Sequence, residues 1–467
     1  MSDDREEARA LPRVVIAGLS GDSGKTLAAL GLLLAARARG FEVAAFKKGP
    51  DYIDAAWLSW ASGRQARNLD SFLAGFPGCA ASFGRHALSG GLNVIEGNRG
   101  LYDGVDACGT HSTAELAKAL QAPVILVINA AKVTRTIAAP ILGCLDLDPD
   151  VHIAGVILNR VAGQRHETML RAAVTACGLP VLGVIPRIAA PAVLPERHLG
   201  LVTPAEHPGI EDLERNLRAL AERLDLDGIG AIARDAPSLT VPAPPAMRAA
   251  AVPTVRIGFL RDSAFNFYYP ENLEALEQHG AELVPLSSLE SPELPADLAA
   301  LYIGGGFPET HGAAIARNSS FLGSLRHAAA AGLPIYAECG GLMLLSEAVV
   351  WRGNSYPMAG WLPFPVHMCE TPQGHGYAEL LVDRPNPFYP PGLSLKGHEF
   401  HYSKIALQSE EPQTACAVRR GTGCFHGREG IVRANTWAGY THIHASATPE
   451  WAPAFVQCAR RFADSVR

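Results

Sequence analysis

The sequence predicts two successive α/β domains, the first built around a parallel sheet, and three observations support this fold class. Short apolar runs such as RVVIAGL, FEVAAFK and APVILVINA alternate with helical patterns over the first half of the chain. A Pro- and Ala-rich stretch, DAPSLTVPAPPAMRAAAVP, then interrupts the alternation, which resumes with TVRIGFL and LAALYIGGG. Apolar runs of this length between helices indicate parallel strands covered on both faces.

Domain boundaries follow from where this alternation starts and stops. We expect residues 1–12, an acidic segment, to be a disordered lead-in, and residues 13–234 to form the first domain. Residues 235–253 contain few apolar anchors and predict a linker. Residues 254–467 predict the second α/β domain.

The composition argues against several classes of protein. The 467 residues are 48% apolar and 18% charged with a net charge of −6, whereas nucleic-acid-binding proteins usually present a basic face. No apolar run approaches the roughly 20 residues of a membrane helix, and the acidic start lacks the apolar core of a signal peptide. The nine cysteines are an odd number without a CxxC pair, which predicts a reducing, cytoplasmic compartment.

A glycine-rich loop, GLSGDSGKT, lies between the first predicted strand and the first predicted helix. Its glycines let backbone N–H groups surround phosphate oxygens, and the helix adds its positive N-terminal end. Lys25 can reach the β- and γ-phosphates, and the Thr26 hydroxyl can bind Mg²⁺. Gly18 is one residue further out than the strict GxxxxGK[ST] spacing requires. We predict an ATP site formed by Gly21, Asp22, Ser23, Gly24, Lys25 and Thr26.

Acidic side chains occur in two motifs, KKGPDYID and IEGNRGLYDG, which supply Asp51, Asp54, Glu96 and Asp103. Asp51 and Glu96 each follow a predicted strand, and the carboxyl ends of parallel strands meet at one edge of a sheet. We therefore expect the acids to converge on the phosphate loop and to bind Mg²⁺, because carboxylates are hard oxygen ligands. Asn159 also follows a strand, and it either reads an adenine edge or stabilises a turn.

A second site is indicated by IYAECGG, where a strand runs into Cys339 and glycines follow at the expected start of a helix. Such an elbow exposes a nucleophile, and the helix N-terminus is expected to lower the pKa of the thiol. Another strand ends in the glycines of LYIGGGFPE, which can donate N–H groups to an oxyanion. In GYTHIHA, His442 and His444 are two residues apart on a predicted strand and face the same way. One histidine beside the thiolate is sufficient for acyl transfer.

The remaining cysteines are expected to be inert, except that Cys369 has His367 and His375 near it in PVHMCETPQGHG. This spacing allows a metal or tetrapyrrole contact, and an ordinary loop with satisfied side chains is the alternative.

The two main sites predict chemistry in two stages. A phosphate site with acidic neighbours can phosphorylate a carboxylate, and a Cys/His elbow can release ammonia from glutamine. The combination predicts ATP-dependent amidation of a carboxylate that these residues do not identify.

Motifs along the whole chain resemble those of one family. KGPDYID, EGNRGLYDG, YIGGGFPE, YAECGGLM, GHEFHYS and YTHIH occur in the order found in cobyrinic acid a,c-diamide synthases, a family related to amidases of sirohaem and nickel sirohydrochlorin. The N-terminal half is similar to dethiobiotin synthetase, a P-loop fold with the same wide glycine spacing. The C-terminal half is similar to class I-type glutamine amidotransferases of the cobyric acid synthase type. Those enzymes use a Cys and a His without the usual acidic third residue.

The resemblance implies roles for individual residues in the C-terminal half. Cys339 would form a glutamyl thioester, and His442 would raise its nucleophilicity. Gly305 and Gly306 would help to form the oxyanion hole. The GHEFHYS segment, with His398, would lie near the domain interface.

In the N-terminal half, the resemblance implies that the acids serve metal binding, substrate activation and coupling. Thr26, Asp51 and Glu96 would be the Mg²⁺ ligands. The implied partners are ATP, glutamine and a tetrapyrrole whose a and c acetate groups become acetamides, and the chain could form a homodimer. Residues from both halves would contact the tetrapyrrole, namely Lys48, Tyr52, Arg99, Tyr102, His398 and His401.

The sequence departs from the family motifs at positions that bear on the choice of ring. The usual FKVGPDYID reads FKKGPDYID, and Asn98 and Arg99 replace an apolar pair. The charges of Lys48 and Arg99 would suit a carboxylate-rich macrocycle, so cobyrinate and sirohaem-type rings are both retained. Two distant alternatives are a dethiobiotin-synthetase-like ligase without glutaminase activity and a binding protein that does not hydrolyse ATP.

Overall fold

The computed structural model describes residues 6–187, 196–197, 200–242, 254–407 and 411–466. The chain divides into two compact units, Met1–Ala246 and Met247–Arg467. Parts of the expected lead-in and linker, residues 1–5 and 243–253, lie outside the described residues.

The first unit contains a seven-stranded sheet in the order β4-β3-β5-β2-β6-β7-β8, and all its neighbouring strands are parallel. The strands of the unit are β1 (Glu6–Arg9), β2 (Arg13–Gly18), β3 (Val43–Lys48), β4 (Arg67–Leu69), β5 (Leu92–Glu96), β6 (Val124–Asn129), β7 (Ile153–Val161), β8 (Val181–Pro186), β9 (Glu196–Arg197), β10 (Gly200–Leu201) and β11 (Leu239–Pro242). The helices are α1 (Lys25–Ala38), α2 (Tyr52–Ser62), α3 (Ser71–His86), α4 (Thr113–Ala119), α5 (Ala138–Leu147), α6 (Gln164–Thr175), α7 (Ile210–Ala221) and α8 (Leu226–Arg234).

The central strands of this sheet are buried on both faces, as their continuous apolar sequences predict. Every residue of β2 is buried, and all but the last residue of β6 are buried. The strand order reverses at β2, which lies between β5 and β6. The phosphate loop leaves the carboxyl end of β2 at this switch point, where open α/β sheets form their ligand crevice.

The expected disordered lead-in and linker are in part wrong. Strand β1 pairs antiparallel with β11, so residues 6–9 and 239–242 are both ordered. Leu239 and Val241 alternate with exposed residues and point into the core, and Val241 packs on Gly84 of α3. Two buried apolar side chains therefore attach the start of the predicted linker to the first unit.

The second unit contains a ten-stranded mixed sheet in the order β14-β12-β15-β17-β26-β25-β24-β21-β22-β27. The strands of the unit, including those outside this sheet, are β12 (Val255–Leu260), β13 (Phe265–Phe267), β14 (Ala281–Leu286), β15 (Ala300–Ile303), β16 (Gly305–Gly306), β17 (Ile335–Glu338), β18 (Ala348–Trp351), β19 (Asn354–Pro357), β20 (Val366–Met368), β21 (Gly374–Val382), β22 (Ser394–His401), β23 (Ser403–Ile405), β24 (Thr414–Arg420), β25 (Arg428–Arg433), β26 (Thr436–Gly439) and β27 (His442–Ile443). Its helices are α9 (Pro270–Gln278), α10 (Gly312–Arg317), α11 (Ser319–Ala330), α12 (Gly340–Leu345) and α13 (Trp451–Ser465).

The two halves of this sheet differ in strand direction. Strands β14, β12, β15, β17 and β26 are parallel, and the other five form an antiparallel extension. Alternate side chains of β15 pack into different cores, with Leu301 and Ile303 on one face and Tyr302 on the other. The predicted α/β class is confirmed for both units.

Candidate active sites

The phosphate loop of the first unit forms a compact turn between β2 and α1. Residues Gly21–Ser23 form a short 3-10 helix, and Gly24 has a φ of 92°, which favours glycine. The Lys25 ammonium folds back over the loop and donates to the Ser20 carbonyl at 2.8 Å. Burial, and next the neighbouring Lys47, lower the pKa of Lys25. The lysine is thus held beside the loop where phosphates are predicted to bind.

Asn159, at the end of β7, supports this loop directly. Its amide nitrogen donates to the Ser23 carbonyl at 2.9 Å, and its oxygen accepts from the Arg160 N–H. A side chain at Gly24 would collide with the same amide. Of the two predicted roles of Asn159, these contacts favour the stabilisation of a turn.

Lys47, which was not among the predicted site residues, lies at the centre of the acidic cluster. Its ammonium is 2.6 Å from Asp54 Oδ2 and 3.3 Å from Glu96 Oε1, and it donates to the Gly97 carbonyl. The Thr26 hydroxyl donates to Glu96 Oε1 at 2.6 Å. Glu96 therefore connects the phosphate loop to Lys47, as the position of β5 beside β2 requires.

The buried carboxylates of this cluster hold their protons more tightly than usual. Burial raises the pKa of Glu96 to about 7, against the opposing effect of Lys47. Burial, and next the neighbouring Asp54, raise the pKa of Asp51 to about 6. Burial disfavours the charged form of Lys47, but Asp54 and Glu96 together raise its pKa well above the ordinary value.

The other predicted acids have more local roles. Asp51 caps α2 and accepts from the Asp54 N–H at 2.8 Å, and Asp103 accepts from the Gly100 N–H at 2.7 Å. No described contact joins Asp51 to Thr26, so the structure brings together only two of the three predicted Mg²⁺ ligands, Thr26 and Glu96.

Lys48 lies on the opposite face of β3 from Lys47, which corrects the expectation that it adds charge beside the activation site. Consecutive strand residues point to opposite faces. Burial lowers the pKa of Lys48, and its nearest charged neighbours include Asp70 of α3 and Arg99.

The other predicted tetrapyrrole contacts of this unit, Arg99, Tyr102 and Tyr52, have different local settings. Arg99 is exposed, with a left-handed φ of 51°. The Tyr102 hydroxyl donates to the Cys144 carbonyl of α5, and Tyr52 begins α2.

Cys339 lies at a sharp elbow between β17 and α12 in the second unit. Its φ of 50° and ψ of −98° are strained for a non-glycine residue, and its N–H donates to the Gly439 carbonyl at 2.7 Å. The predicted lowering of the thiol pKa is wrong for this structure. Burial, and next the Glu309 carboxylate, raise the pKa of Cys339 to about 12, although the Gly340 N–H acts in the opposite direction.

The predicted oxyanion glycines lie against the start of α12. Gly305 and Gly306 form β16, which pairs with β13. A Cβ built on Gly340 would lie 3.1 Å from the Gly306 nitrogen, so the two segments are in close contact. A Cβ on Gly305 would lie 2.5 Å from His442 Cε1. The structure therefore places the glycine loop between the nucleophile's helix and the predicted histidine.

His442 has a carboxylate neighbour in the structure. Its Nδ1 lies 3.5 Å from Oε2 of Glu338, the residue directly before the nucleophile. Both side chains are buried. In the sequence, Glu338 stands out only as part of the ECGG motif.

His442 belongs to a buried cluster with His398 and His444. The His398 ring stacks on that of His442 with centroids 5.0 Å apart, and Tyr269 contacts both His398 and His444. Burial, and next the neighbouring His442, lower the pKa of His398 well below its usual value. His442 and His444 thus border one cluster, in line with their spacing.

His401 is separated from His398, although both were predicted to contact the tetrapyrrole. It lies on the other face of β22, stacks on Tyr440 with ring centroids 3.7 Å apart, and pairs its Nδ1 with the Ser403 carbonyl. The odd spacing of 398 and 401 on a strand could have indicated this separation.

The Cys369 segment has ordinary loop contacts. The Cys369 thiol is 3.9 Å from the His367 carbonyl, and His375 packs on Phe400. Within the part of the chain that the structure describes, no group of three or more His, Cys, Asp or Glu side chains could hold a metal ion.

Comparisons with known proteins agree with this division into two sites. Residues 14–202 match the family model of the CobQ/CobB/MinD/ParA nucleotide binding domain, and residues 256–450 match that of the CobB/CobQ-like glutamine amidotransferase domain. Cobyrinate a,c-diamide synthase of Magnetococcus marinus is 44% identical over 95% of this chain and 96% of its own length. The enzymes of the same name from Syntrophotalea carbinolica and Archaeoglobus fulgidus are 43% and 40% identical, covering 96% and 97% of this chain and 99% and 98% of their own lengths. Among solved structures, PurLQS from Thermotoga maritima covers 45% of this chain and 99% of its own, at 17% identity and a TM-score of 0.36.

Proposed function

The chain belongs to the cobyrinate a,c-diamide synthase family, and from this premise we propose that it amidates the a and c acetate groups of cobyrinate with ATP and glutamine. The observation that carries the proposal is the combination of two sites in one chain. One is a phosphate loop joined through Thr26 and Glu96 to Lys47, and the other is the Cys339 elbow with His442 beside its glycine loop.

In the first unit, the loop residues 21–26 would bind the ATP phosphates through backbone N–H groups and the Lys25 ammonium. The site suits Mg²⁺, because Glu96 Oε2 is buried and makes no hydrogen bond to any described residue. Thr26 and Glu96 would hold the ion, with Asp51 as the third predicted ligand. When bound there, Mg²⁺ would neutralise negative charge on the ATP phosphates.

The carboxylate is activated in this unit. An acetate oxygen attacks the γ-phosphorus of ATP, and the bond between this phosphorus and the β,γ-bridging oxygen breaks. ADP departs, and the acetate group becomes an acyl phosphate. Lys47, fixed by Asp54 and Glu96, would place positive charge beside the transferring group. Ammonia then attacks the acyl carbon, phosphate leaves, and the amide forms with release of a proton.

The second unit supplies the ammonia in this proposal. The Cys339 sulfur attacks the side-chain carbonyl carbon of glutamine, and the N–H groups of the 305–306 loop stabilise the oxyanion. His442 takes the thiol proton and passes it to the leaving nitrogen, which departs as ammonia. Water then hydrolyses the thioester to glutamate and restores the thiol.

The ring is tested by incubating the protein with ATP, Mg²⁺ and glutamine, using cobyrinic acid in one reaction and sirohaem in another. Each amidation replaces OH by NH₂ and gives a fixed mass decrease. Two successive decreases on cobyrinic acid are the expected result. A decrease only on sirohaem would move the enzyme to sirohaem amidation. Because the charge of Arg99 acts on the pKa of Lys48, these two residues would then be the first to test for ring preference.

The distant alternatives make different predictions in the same assay. A dethiobiotin-synthetase-like ligase without glutaminase activity would keep its ATP-dependent activity with glutamine when Cys339 is replaced by Ser. A binding protein would hydrolyse no ATP with either ring.

Assembly and location are further parts of the proposal. Leu142 and Leu147 of α5 are large exposed apolar residues, which supports a homodimer, and light scattering of the pure protein tests it. All nine cysteines are unpaired, which supports a reducing, cytoplasmic compartment. No helix within the described residues is long and apolar enough to cross a membrane.

A further inference from the structure

Glu338 is a buried carboxylate directly before the nucleophile, on the other side of the sheet. Cys339 packs in the apolar core that contains Ile303 and Leu342. The Glu338 carboxylate instead contacts Tyr302, which belongs to the core on the opposite face. A buried carboxylate in a largely apolar core is costly unless each oxygen is satisfied, so its contacts indicate what it is for.

Two donors fix the position of this carboxylate. The Ile443 N–H donates to Oε1 at 3.1 Å, and the Tyr302 hydroxyl donates to Oε2 at 3.0 Å. The same Oε2 lies 3.5 Å from His442 Nδ1. The oxygen that faces the imidazole is therefore held in place by a hydroxyl from β15.

The opposite edge of the His442 ring faces the glycine loop. A Cβ on Gly305 would lie 2.5 Å from His442 Cε1 and 3.3 Å from Nε2. The imidazole thus spans the distance between the Glu338 carboxylate and the loop that lies against the nucleophile's helix. With the proton on Nδ1, Nε2 is the ring nitrogen that accepts a proton, and it lies on the side of the loop.

A second buried side chain keeps this arrangement rigid. The Asn272 amide donates to the Tyr302 hydroxyl at 3.2 Å and to the Ile443 carbonyl at 3.0 Å, and its oxygen accepts from the Ala445 N–H at 2.7 Å. Asn272 therefore holds the Tyr302 hydroxyl and the strand that carries His442 in one frame. Such supporting contacts fix the tautomer and orientation of functional histidines.

We propose that Glu338 is a positioning residue for His442. From its place directly before the nucleophile, it would serve as the acidic partner of the histidine that the family motifs lack. The inference rests on the proposed glutaminase activity. In this arrangement the carboxylate faces Nδ1 at 3.5 Å, stabilises the positive charge that His442 acquires with a proton, and orients Nε2 toward the glycine loop. It makes no contact with glutamine.

The test measures glutaminase kinetics of the full-length protein and of Glu338→Gln, Glu338→Asp, Tyr302→Phe and Tyr336→Phe. We expect Glu338→Gln to lower kcat for glutamine by about 10- to 100-fold, because part of the acid–base contribution of His442 is lost, with KM within twofold. Glu338→Asp should restore part of kcat. Amidation with ammonium chloride should be unchanged, since it bypasses the thiol.

Substitutions of two tyrosines provide a matched pair of variants in which the Glu338 side chain itself is unchanged. Tyr302 donates to Glu338, whereas the hydroxyl of Tyr336 on the adjacent strand pairs with Tyr389. We expect Tyr302→Phe to lower kcat by about threefold or more and Tyr336→Phe to leave it unchanged. If the melting temperature shows that Glu338→Gln does not fold, the two tyrosine variants test the positioning role of Glu338 instead.

The outcomes separate this inference from the proposed function. If the unmodified protein does not hydrolyse glutamine, the proposed function fails. If it does, and Glu338→Gln keeps kcat within threefold or changes only KM, the positioning role is overturned. When Glu338→Gln does not fold, equal kcat values for the two tyrosine variants overturn it as well.

Discussion

The Lys47 ammonium lies 2.6 Å from the Asp54 carboxylate, although seven positions separate the two residues in sequence. Lys47 is near the end of β3 and Asp54 is in the first turn of α2. Gly49 reverses the chain between them with a φ of 88°, a conformation that side chains other than glycine rarely adopt. The turn therefore brings a buried cation to the edge of the sheet where Glu96 and Thr26 meet.

Replacing Lys47 by Met should strongly slow carboxylate activation. We expect amidation to fall on the order of 10²- to 10³-fold with either glutamine or ammonium chloride, because the charge beside the transferring phosphoryl group is lost. Glutaminase activity measured alone should persist. Lys118→Met, which removes a partly exposed lysine between Glu115 and Asp148, is the control and should change nothing. Normal amidation by Lys47→Met would contradict the proposed role.

Cys339→Ala should separate the two activities. We expect no glutamine hydrolysis, since the thioester cannot form, and unchanged amidation when ammonium chloride replaces glutamine. Product mass reports both reactions. Loss of the ammonium-dependent reaction would show that the substitution disturbs more than the thiol.

Gly305→Ala tests the contact between the glycine loop and the histidine. The added methyl group would lie 2.5 Å from His442 Cε1, and displacement of the ring should lower glutaminase kcat by about 10- to 100-fold. Gly323 of α11 has no atom within 4 Å of a built Cβ. Gly323→Ala should therefore keep full activity, and it should raise stability slightly because alanine favours the helix. Equal activity of the two variants would rule out the contact.

The raised pKa of Glu96 predicts a pH-dependent stability. A carboxyl whose pKa is about 7 in the folded protein, against an ordinary value of 4.5, binds its proton more tightly when the protein is folded. Its contribution to the free energy of unfolding therefore decreases as the pH rises from about 4.5 to about 7. Asp51 acts in the same direction up to about 6. Glu96→Gln should flatten this part of the curve of melting temperature against pH, and an unchanged slope would contradict it.

Leu239→Ala should destabilise the first unit. The side chain is 4% exposed, and removal of a buried leucine costs about 2–3 kcal/mol. Thr240→Ala, on the exposed face of the same strand, is the control and should cost less than about 0.5 kcal/mol. Urea denaturation of the full chain measures both, and similar midpoints would mean that the strand contributes little.

Local patterns were sufficient for the parallel strands and for the loops at their ends. The runs that became β2, β3, β5 and β6 are mainly apolar and almost entirely buried, and the phosphate loop and the Cys339 elbow follow strands directly. Each of these features depends on a few neighbouring residues, so the sequence carries the signal.

Features that depend on long-range pairing were missed. Strand β11 has two inward apolar residues, and only its pairing with β1 identifies it. Lys47 and Lys48 look equivalent until the register of β3 assigns each to a face. Glu338 and His442 are 104 positions apart in sequence and lie in strands that are not neighbours in the sheet, so only the folded chain brings Glu338 Oε2 within 3.5 Å of His442 Nδ1. These contacts are made by folding and leave no periodic pattern.

The pairing of Glu6 with Pro242 places the beginning and the end of the first unit side by side. Adjacent strands lie about 4.8 Å apart, so a few residues could join these ends directly. A circularly permuted first unit could therefore have its old ends joined and its new ends in another surface turn, and proteins usually tolerate such permutations. Tension applied between residues 6 and 242 would meet the β1–β11 hydrogen bonds before it reached the phosphate loop.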